Sequence, residues 1–391
     1  MNMPTSHLLT NKQIAVIGGG PVGLTVARLL QLKGAMVTVY ERNTSALARL
    51  LGGTLDIKRS TGQKALEKAG LLNAFYAAAK PVEERMLDTD GHVLLKTIPN
   101  EQTQYDQPEI DRPDLQHILL ESLQENTVVW DRQVTNLMQT DKGFTLHFQD
   151  DSQATADLVI VADGSMSKAR RLITEQMPMY TGTYAVQGEI YHPELSCPTI
   201  YKLINKGNMA CVADKKSIFA HTKANGHINF YVTFRPAENW QLDHSIDFTN
   251  RASVNDFLIP LFASWSDLYK ELFTASDEYT GLPLRVFLLD QPWPKHKQIT
   301  LIGDAAHVMP PFGGEGANMG LRDALLLTDN LTSDAFTSIQ AAIDDYEQQM
   351  FAYALPIQQG CLQADERIHT QSENAAERMK RMIAHQLQVS Q

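Results

Sequence analysis

The first apolar run, Gln13 to Ile17 (QIAVI), has the length and β-branched content of a short buried strand. Gly18-Gly19-Gly20-Pro21-Val22-Gly23 follows at once. From Leu24 to Lys33, Leu24, Ala27, Leu29 and Leu30 recur at helical spacing, and Gly34 is placed to end that helix. Val37 to Tyr40 predicts a second strand, closed by Glu41 and Arg42. This is a complete β-α-β unit within about thirty residues. Asp114 to Gln124 predicts an amphipathic helix behind Arg112, and Ala156 to Ala162 a buried strand leading into Asp163-Gly164. Between 181 and 280 the texture changes to short alternating stretches, Ile218 to Ala220 and Ile228 to Phe234, separated by Asn, Gly and Lys turns. That pattern predicts an antiparallel sheet. Ile299 to Ile302 returns to buried-strand character. Helices are predicted from Asp323 to Leu331, from Ile339 to Tyr353, and through a polar tail from Gln358 to Gln388.

Nucleotide-domain texture therefore occurs early, midway and late, with a different sheet between. The reading is an α/β fold: a Rossmann-like domain with a parallel sheet, a mixed or antiparallel-sheet substrate domain inserted into it, and a long C-terminal helix. The expected boundaries are 1–80, 105–180 and 281–335 for the first domain, 81–104 and 181–280 for the second, and 336–391 for the helical segment.

Composition narrows the partners. The 391 residues carry a formal net charge of −11, which argues against nucleic acid or an anionic membrane and leaves a small molecule as the expected partner of a monomer. No apolar run approaches the ~20 residues that cross a bilayer, and no secretory signal is visible at the N-terminus. Cys197, Cys211 and Cys361 are sparse and unpaired in spacing, as in a reducing compartment, and a cytoplasmic location is expected. The 12 histidines form no metal-ligand pattern, so no metal is expected.

Three motifs carry chemistry. In the first, Gly18 permits a tight turn, Gly20 lets a helix N-terminus approach a pyrophosphate, and Gly23 lets helix and strand pack closely. Glu41 ends the next strand, where an acid accepts hydrogen bonds from a ribose and repels a 2′-phosphate. FAD or NAD is favoured over NADP at this site. The second motif is Gly303-Asp304-Ala305-Ala306-His307 followed by Pro310 to Asn318 (PPFGGEGAN). Here Asp304 at a strand end is suited to a ribityl or ribose hydroxyl. The loop of Pro311, Gly314, Gly316, Ala317 and Asn318 opens a second helix N-terminus toward negative charge on a flavin or its phosphates. His307 reads as packing rather than as a base. The third is Asp163-Gly164-Ser165 with Arg170 a turn on, which positions a pyrophosphate or a nicotinamide cofactor, or is a helix start capped by Asp163 or Ser165.

This ordered triple resembles the class A flavoprotein monooxygenases, the group of para-hydroxybenzoate hydroxylase, over almost the whole chain. Within that group the chain is similar to the tetracycline-inactivating monooxygenases. The segments that carry the likeness are GGGPVGLT (Gly18 to Thr25), GGTLDI (Gly52 to Ile57), PEIDR (Pro108 to Arg112), ADLVIVADG (Ala156 to Gly164), IGDAAHVMPPF (Ile302 to Phe312) and YEQQMF (Tyr346 to Phe351). The resemblance implies FAD held with the help of Glu41, Asp56, Arg112 and Asp304. It implies NADPH or NADH as reductant, assisted by Arg49, and O2 as co-substrate. It further implies hydroxylation of a small polycyclic, phenolic or enolic substrate through a C4a-hydroperoxyflavin, with no catalytic side chain required. Gln187, Phe219, Pro311 and Gly314 become substrate contacts. Asn208 and Asn229 stand where the tetracycline enzymes place an Arg and a His, Tyr231 where they have Gly, and Glu315 where the group has Gln. Two other readings share the fold: a flavin reductase acting on isoprenoid double bonds, and a non-catalytic flavin-binding sensor.

Overall fold

The computed structural model describes residues 7–48, 53–236 and 246–371. Arg49, Gly52 and the predicted tail beyond 371 lie outside the described residues. The chain divides into two units. Unit 1 comprises the stretches ending at Lys80, Tyr105–Met179 and Arg285–Leu362; unit 2 comprises Pro81–Gln104, Tyr180–Leu284 and the chain from Gln363 onward.

Unit 1 is built on a five-stranded parallel sheet in the order β17 (Ile299–Leu301), β11 (Leu158–Val161), β1 (Gln13–Ile17), β2 (Met36–Tyr40) and β7 (Val128–Val129). Ile14 to Ile17 and Leu158 to Val161 are buried on both sides, which is why their sequences are continuously apolar instead of alternating. Helices α1 (Pro21–Leu32), α2 (Arg112–Glu121) and α3 (Gly316–Leu331) pack together, and the antiparallel strands β8 (Val134–Thr140), β9 (Gly143–Phe148) and β10 (Gln153–Ala156) form a meander that touches β1 and β11. A two-stranded ribbon, β3 (Thr54–Asp56) with β6 (Glu109–Asp111), pairs Asp56 with Glu109.

The chain from Ile339 to Thr370 is one 32-residue helix, α4, with Pro356 inside it. The sequence predicts two helical stretches there within a long C-terminal helical segment; the structure runs the first into the second through Pro356, although a proline removes one backbone donor and crowds the preceding turn. Within unit 1, burial of Tyr346, Met350, Ala354, Gln358 and Cys361 along one face offsets that cost. The Gln358 amide also bonds Phe287 O and Leu289 N.

Unit 2 holds a seven-stranded mixed sheet in the order β16 (Glu278–Val286), β12 (Met179–Ile190), β15 (Ile228–Phe234), β14 (Lys216–Thr222), β13 (Asn208–Ala213), β4 (Glu84–Leu87) and β5 (Val93–Thr97). From β12 through β15, β14 and β13 the neighbours are antiparallel, as are β4 and β5, while β13 and β4 run parallel. Side chains alternate across the pleat. Val186, Ile190, Ile218, Phe230 and Val232 join a core with Val254, Leu258, Tyr269 and Phe273, which come from the helices Arg251–Leu261 and Asp267–Ala275. The intervening residues, Gln187, Phe219, Asn229 and Tyr231 among them, face the other way. In the last turns of α4, His369 Nε2 lies 2.8 Å from Thr233 Oγ1 and Asp365 accepts a 2.7 Å bond from Thr183. Among the described residues, no helix is long and apolar enough to cross a membrane.

Candidate active site

Unit 1 brings the first motif together as a cradle without side chains. Gly18 has φ +108°, and a Cβ on it would lie 2.4 Å from Ala162 O; one on Gly23 would lie 2.0 Å from Gly18 O. Helix α1 begins at Pro21 behind an extended Gly20, with no side-chain cap and no acid in its first turn. Its first amides are left for an anion, as a pyrophosphate requires. Glu41 is buried. Its Oε2 accepts the Gly19 amide at 2.6 Å and its Oε1 the Asn43 amide at 3.0 Å, so the acid braces the glycine turn while each oxygen keeps a further lone pair. Gln116 on α2 donates to Gly19 O at 3.1 Å. Arg42 is exposed and Arg112, the first residue of α2, is half-buried.

The second motif hangs on buried polar groups. Gly303, at φ +62°, donates its amide to Asp323 Oδ2 at 2.7 Å, and His307 Nε2 lies 2.6 Å from the same oxygen. Burial works to lower the His307 pKa, but the Asp323 carboxylate outweighs it and the net direction is upward. His307 is fully buried and braces the turn through Asp323. Asp304 opens a short helix, Asp304–His307, with its carboxylate exposed and directed toward Gly316 at the start of α3. Asp304→Ala is expected to weaken FAD binding by about tenfold or more, the value of one hydrogen bond to a charged group. Melting of the FAD-free protein should stay near that of the parent, because the exposed carboxylate holds nothing in the fold. Equilibrium dialysis with FAD and a thermal melt check both halves.

The third motif supports the second. Arg170 is fully buried; its Nε donates to Ala305 O at 2.7 Å, its Nη2 to Asp304 O at 3.0 Å and Ser165 O at 3.1 Å, and its guanidinium lies 4.8 Å from the Phe287 ring centre. Neither Asp163 nor Ser165 caps a helix there. The Ser167 hydroxyl accepts the Arg170 amide at 3.0 Å, ahead of the short helical turn Ala169–Leu172. Burial pushes the Asp163 carboxyl up, against the pull of Ser167 and Arg170.

Asp56, at the end of β3, sits against Gly314: a Cβ there would lie 2.5 Å from Asp56 Oδ1, and Gly314 has φ +65°. Asn318 locks this corner. It accepts the Lys58 amide at 2.8 Å and donates to Asp56 O at 2.8 Å and Gly314 O at 3.0 Å. Lys58 Nζ adds bonds to Gly313 O at 2.8 Å and Glu315 Oε1 at 2.7 Å. Pro311 is exposed, and Gly316 and Ala317 are half-buried in the opening of α3, which has neither a side-chain cap nor an acid in its first turn. Burial pushes the Asp56 carboxyl up to about 7, with Lys58 opposing and Glu109 and Glu315 adding to the rise. Its folded pKa is thus above the unfolded value of about 3.9. Between these two values the folded protein holds a proton that the unfolded chain has released. Stability of the FAD-free protein is therefore expected to fall as pH rises from about 4 to about 7, and Asp56→Asn should flatten that part of the profile in urea titrations.

Unit 2 sets two rows across its sheet. Gln187 pairs with Tyr231 and Tyr231 with Phe219; Glu189 pairs with Asn229, Asn229 with His221, and His221 with Asn208. The first row is half-buried; Glu189, Asn229 and Asn208 are buried. Sequence reasoning passed over Glu189, Lys58, Asp323 and Lys223. Only Glu189 carried a signal, being two residues beyond Gln187 and hence on the same strand face. In the same unit Asp88, Asp90 and His92 place ligand atoms within 4.8 Å of one another, at a turn where Asp88 already accepts the Asp90 and His92 amides.

The model of the FAD binding domain family matches residues 11–357. Monooxygenase asqM of Emericella nidulans is 28% identical over 87% of this chain and 90% of its own length. The 3-amino-4-hydroxybenzoate 2-monooxygenase of Streptomyces cremeus is 28% identical over 86% of this chain and 82% of its own. The solved structure of tetracycline destructase Tet(55) superposes with a TM-score of 0.75 at 22% identity, covering 95% of this chain and 94% of that one, a likeness of fold alone. With two uncapped helix starts, a glycine cradle and an acid at each strand end, the chain belongs to the FAD binding domain family, among the class A FAD-dependent monooxygenases.

Proposed function

We propose that the chain uses NADPH or NADH and O2 to hydroxylate a small phenolic or enolic ring, single or fused. The observation that supports this most is the cradle of unit 1, where Gly18, Gly23, Glu41 and Asp304 fit the ADP and ribityl parts of FAD. Bound FAD supplies the reductive activation of oxygen. The protein's part is to hold and orient. The α1 amides take the pyrophosphate, Asp304 a ribityl hydroxyl, and the Asp56–Gly314 corner and the α3 N-terminus receive the ring end of the cofactor. In unit 2 the half-buried row of Gln187, Tyr231 and Phe219 carries the substrate, with an aromatic face for a ring and an amide for its polar edge. No acid–base triad is needed.

Tetracyclines belong among the trial substrates. Asn208 and Asn229 are short and neutral and offer neither the charged fork of Arg nor an imidazole. Any turnover of tetracycline is expected to be poorer than that of the tetracycline-inactivating enzymes. The deciding experiment supplies NADPH or NADH and oxygen-18 to the FAD-loaded protein with a panel of phenols, hydroxypyridines, aminohydroxybenzoates and tetracycline. One labelled oxygen atom in a product, with substrate-stimulated NAD(P)H oxidation, supports the reading. Reduction of a double bond without label, or no product from the panel, overturns it.

A further inference from the structure

Glu189 and Lys223 form an ion pair with side chains only 6% and 11% exposed, Lys223 Nζ lying 2.9 Å from Glu189 Oε1 and 3.1 Å from Oε2. Asn229, with no exposed surface, donates its Nδ2 to Glu189 Oε1 at 2.7 Å and to Gly188 O at 3.3 Å. Two acceptors on the nitrogen settle which way the amide faces. Turned over, its oxygen would meet a carboxylate and a carbonyl. Oδ1 therefore points away from both, and among the described residues it has no hydrogen-bond partner. A buried carbonyl oxygen left unpaired needs an explanation, and a ligand that supplies the missing donor is one. The next row along the same strands, Gln187–Tyr231–Phe219, is half-buried and supplies the ring-sized aromatic surface beside it.

We propose that the Glu189–Lys223 pair locks Asn229 as a hydrogen-bond acceptor, and that this selects substrates presenting a neutral donor, a phenolic O–H, a ring N–H or an aromatic amino group, to Asn229 Oδ1. The inference rests on the reading of this sheet face as the substrate surface. Lys223 balances the charge of Glu189, so the pair does not recruit a cation, and the carboxylate bound to Nδ2–H polarises the amide and strengthens Oδ1 as an acceptor. A ring that offers only a carbonyl, ether or carboxylate oxygen at this point brings two acceptors together and leaves both unpaired.

The test is calorimetric titration of the FAD-loaded protein, without NAD(P)H, using matched probes. These are 2,6-dihydroxypyridine against 2,6-dimethoxypyridine, and catechol against 1,2-dimethoxybenzene. The donor-bearing member of each pair is expected to bind about tenfold or more tighter. In Glu189→Gln the new amide can accept or donate, so Asn229 is free to turn and the preference should fall to within about threefold. The charge-neutral double variant Glu189→Gln/Lys223→Met removes the unpaired lysine and should show the same loss, which guards against misfolding of the single variant. A penalty from methyl bulk alone would persist in both variants. Equal binding of both members by the parent, no binding of either donor, or a preference unchanged in both variants overturns the proposal. Oxygen-18 incorporation is scored separately. Labelled product without a donor preference sinks the Asn229 assignment alone, whereas donor preference without labelled product sinks the monooxygenase reading.

Discussion

Gly23→Ala is expected to yield protein that purifies without flavin and melts well below the parent. The added Cβ would lie 2.0 Å from Gly18 O, and neither partner can step aside. Gly18 is held by its amide bond to Tyr40 O at 2.9 Å and by its close approach to Ala162 O. Relief requires helix α1 to move off β1, which loosens Leu24, Val26 and Leu30, all fully buried. Overpacking of a well-packed core costs about 1–3 kcal/mol and at times more, and a backbone oxygen as the obstacle puts this site at the upper end. The same shift misaligns the amides that receive the pyrophosphate, so FAD affinity should fall as well, by about tenfold for each 1.4 kcal/mol of binding energy lost. Gly164→Ala is the control. Gly164 has φ +86° but nothing within 4 Å of its added Cβ, so only the backbone strain of about 1–2 kcal/mol remains. Flavin-to-protein absorbance ratios and melting temperatures distinguish the two. Equal flavin content in both variants would remove the cradle from the cofactor site.

Asp323→Ala should be at least as severe, for an electrostatic reason. Its buried carboxylate accepts from Gly303 N, His307 Nε2 and the Tyr353 hydroxyl. Removing it leaves three donors without partners in a place water does not reach, with the histidine stripped of the charge that raises its pKa. Breaking a buried ion pair from one side costs about 3–5 kcal/mol. The Gly303 turn also loses the bond that sets Asp304 in place, so FAD retention should fall with stability. In a His307→Ala background the same substitution should cost less, because one orphaned group is already gone. Urea unfolding of the four proteins measures the coupling. Additive effects would show that Asp323 and His307 act independently.

The parts of this fold that lie within one local stretch are legible in the order of residues alone. The β1–α1–β2 unit, Gly18 and Gly23, Glu41 and the Asp304 turn follow from strand and helix periods and from the few residues that fit a tight turn. The change of texture after residue 181 marks the second sheet. What escapes such reasoning depends on neighbours far away in the chain. Lys58 reaches Glu315 across more than 250 residues, and Asp323 meets His307 only because α3 folds back over the Gly303 turn. A period reports which face a residue occupies, never what lies opposite it. Resemblance points to Asn229 as part of the proposed substrate face, but the orientation of its amide is decided by Glu189 on the neighbouring strand. The long C-terminal helix is legible in the sequence, but its continuity through Pro356 is not: local proline chemistry is overruled by a buried stripe of side chains.

The order of the parallel sheet also decides when unit 1 is able to exist during synthesis. Strand β17 pairs with β11, Val159 opposite Ile299, so the sheet's last member is made about 140 residues after the partner it must find. Every residue of the Asp304 turn emerges later still. On the ribosome, at about 5–20 residues per second, β11 waits roughly ten seconds or more with one edge open. Closing so long a loop brings its contact only after its entropy has been lost, which makes pairing of β17 a late and slow event in refolding. Through that interval the apolar Leu158–Val161 edge is a target for chaperones and for misassembly with other chains, while a cofactor half-site at Gly18–Gly23 has already been made.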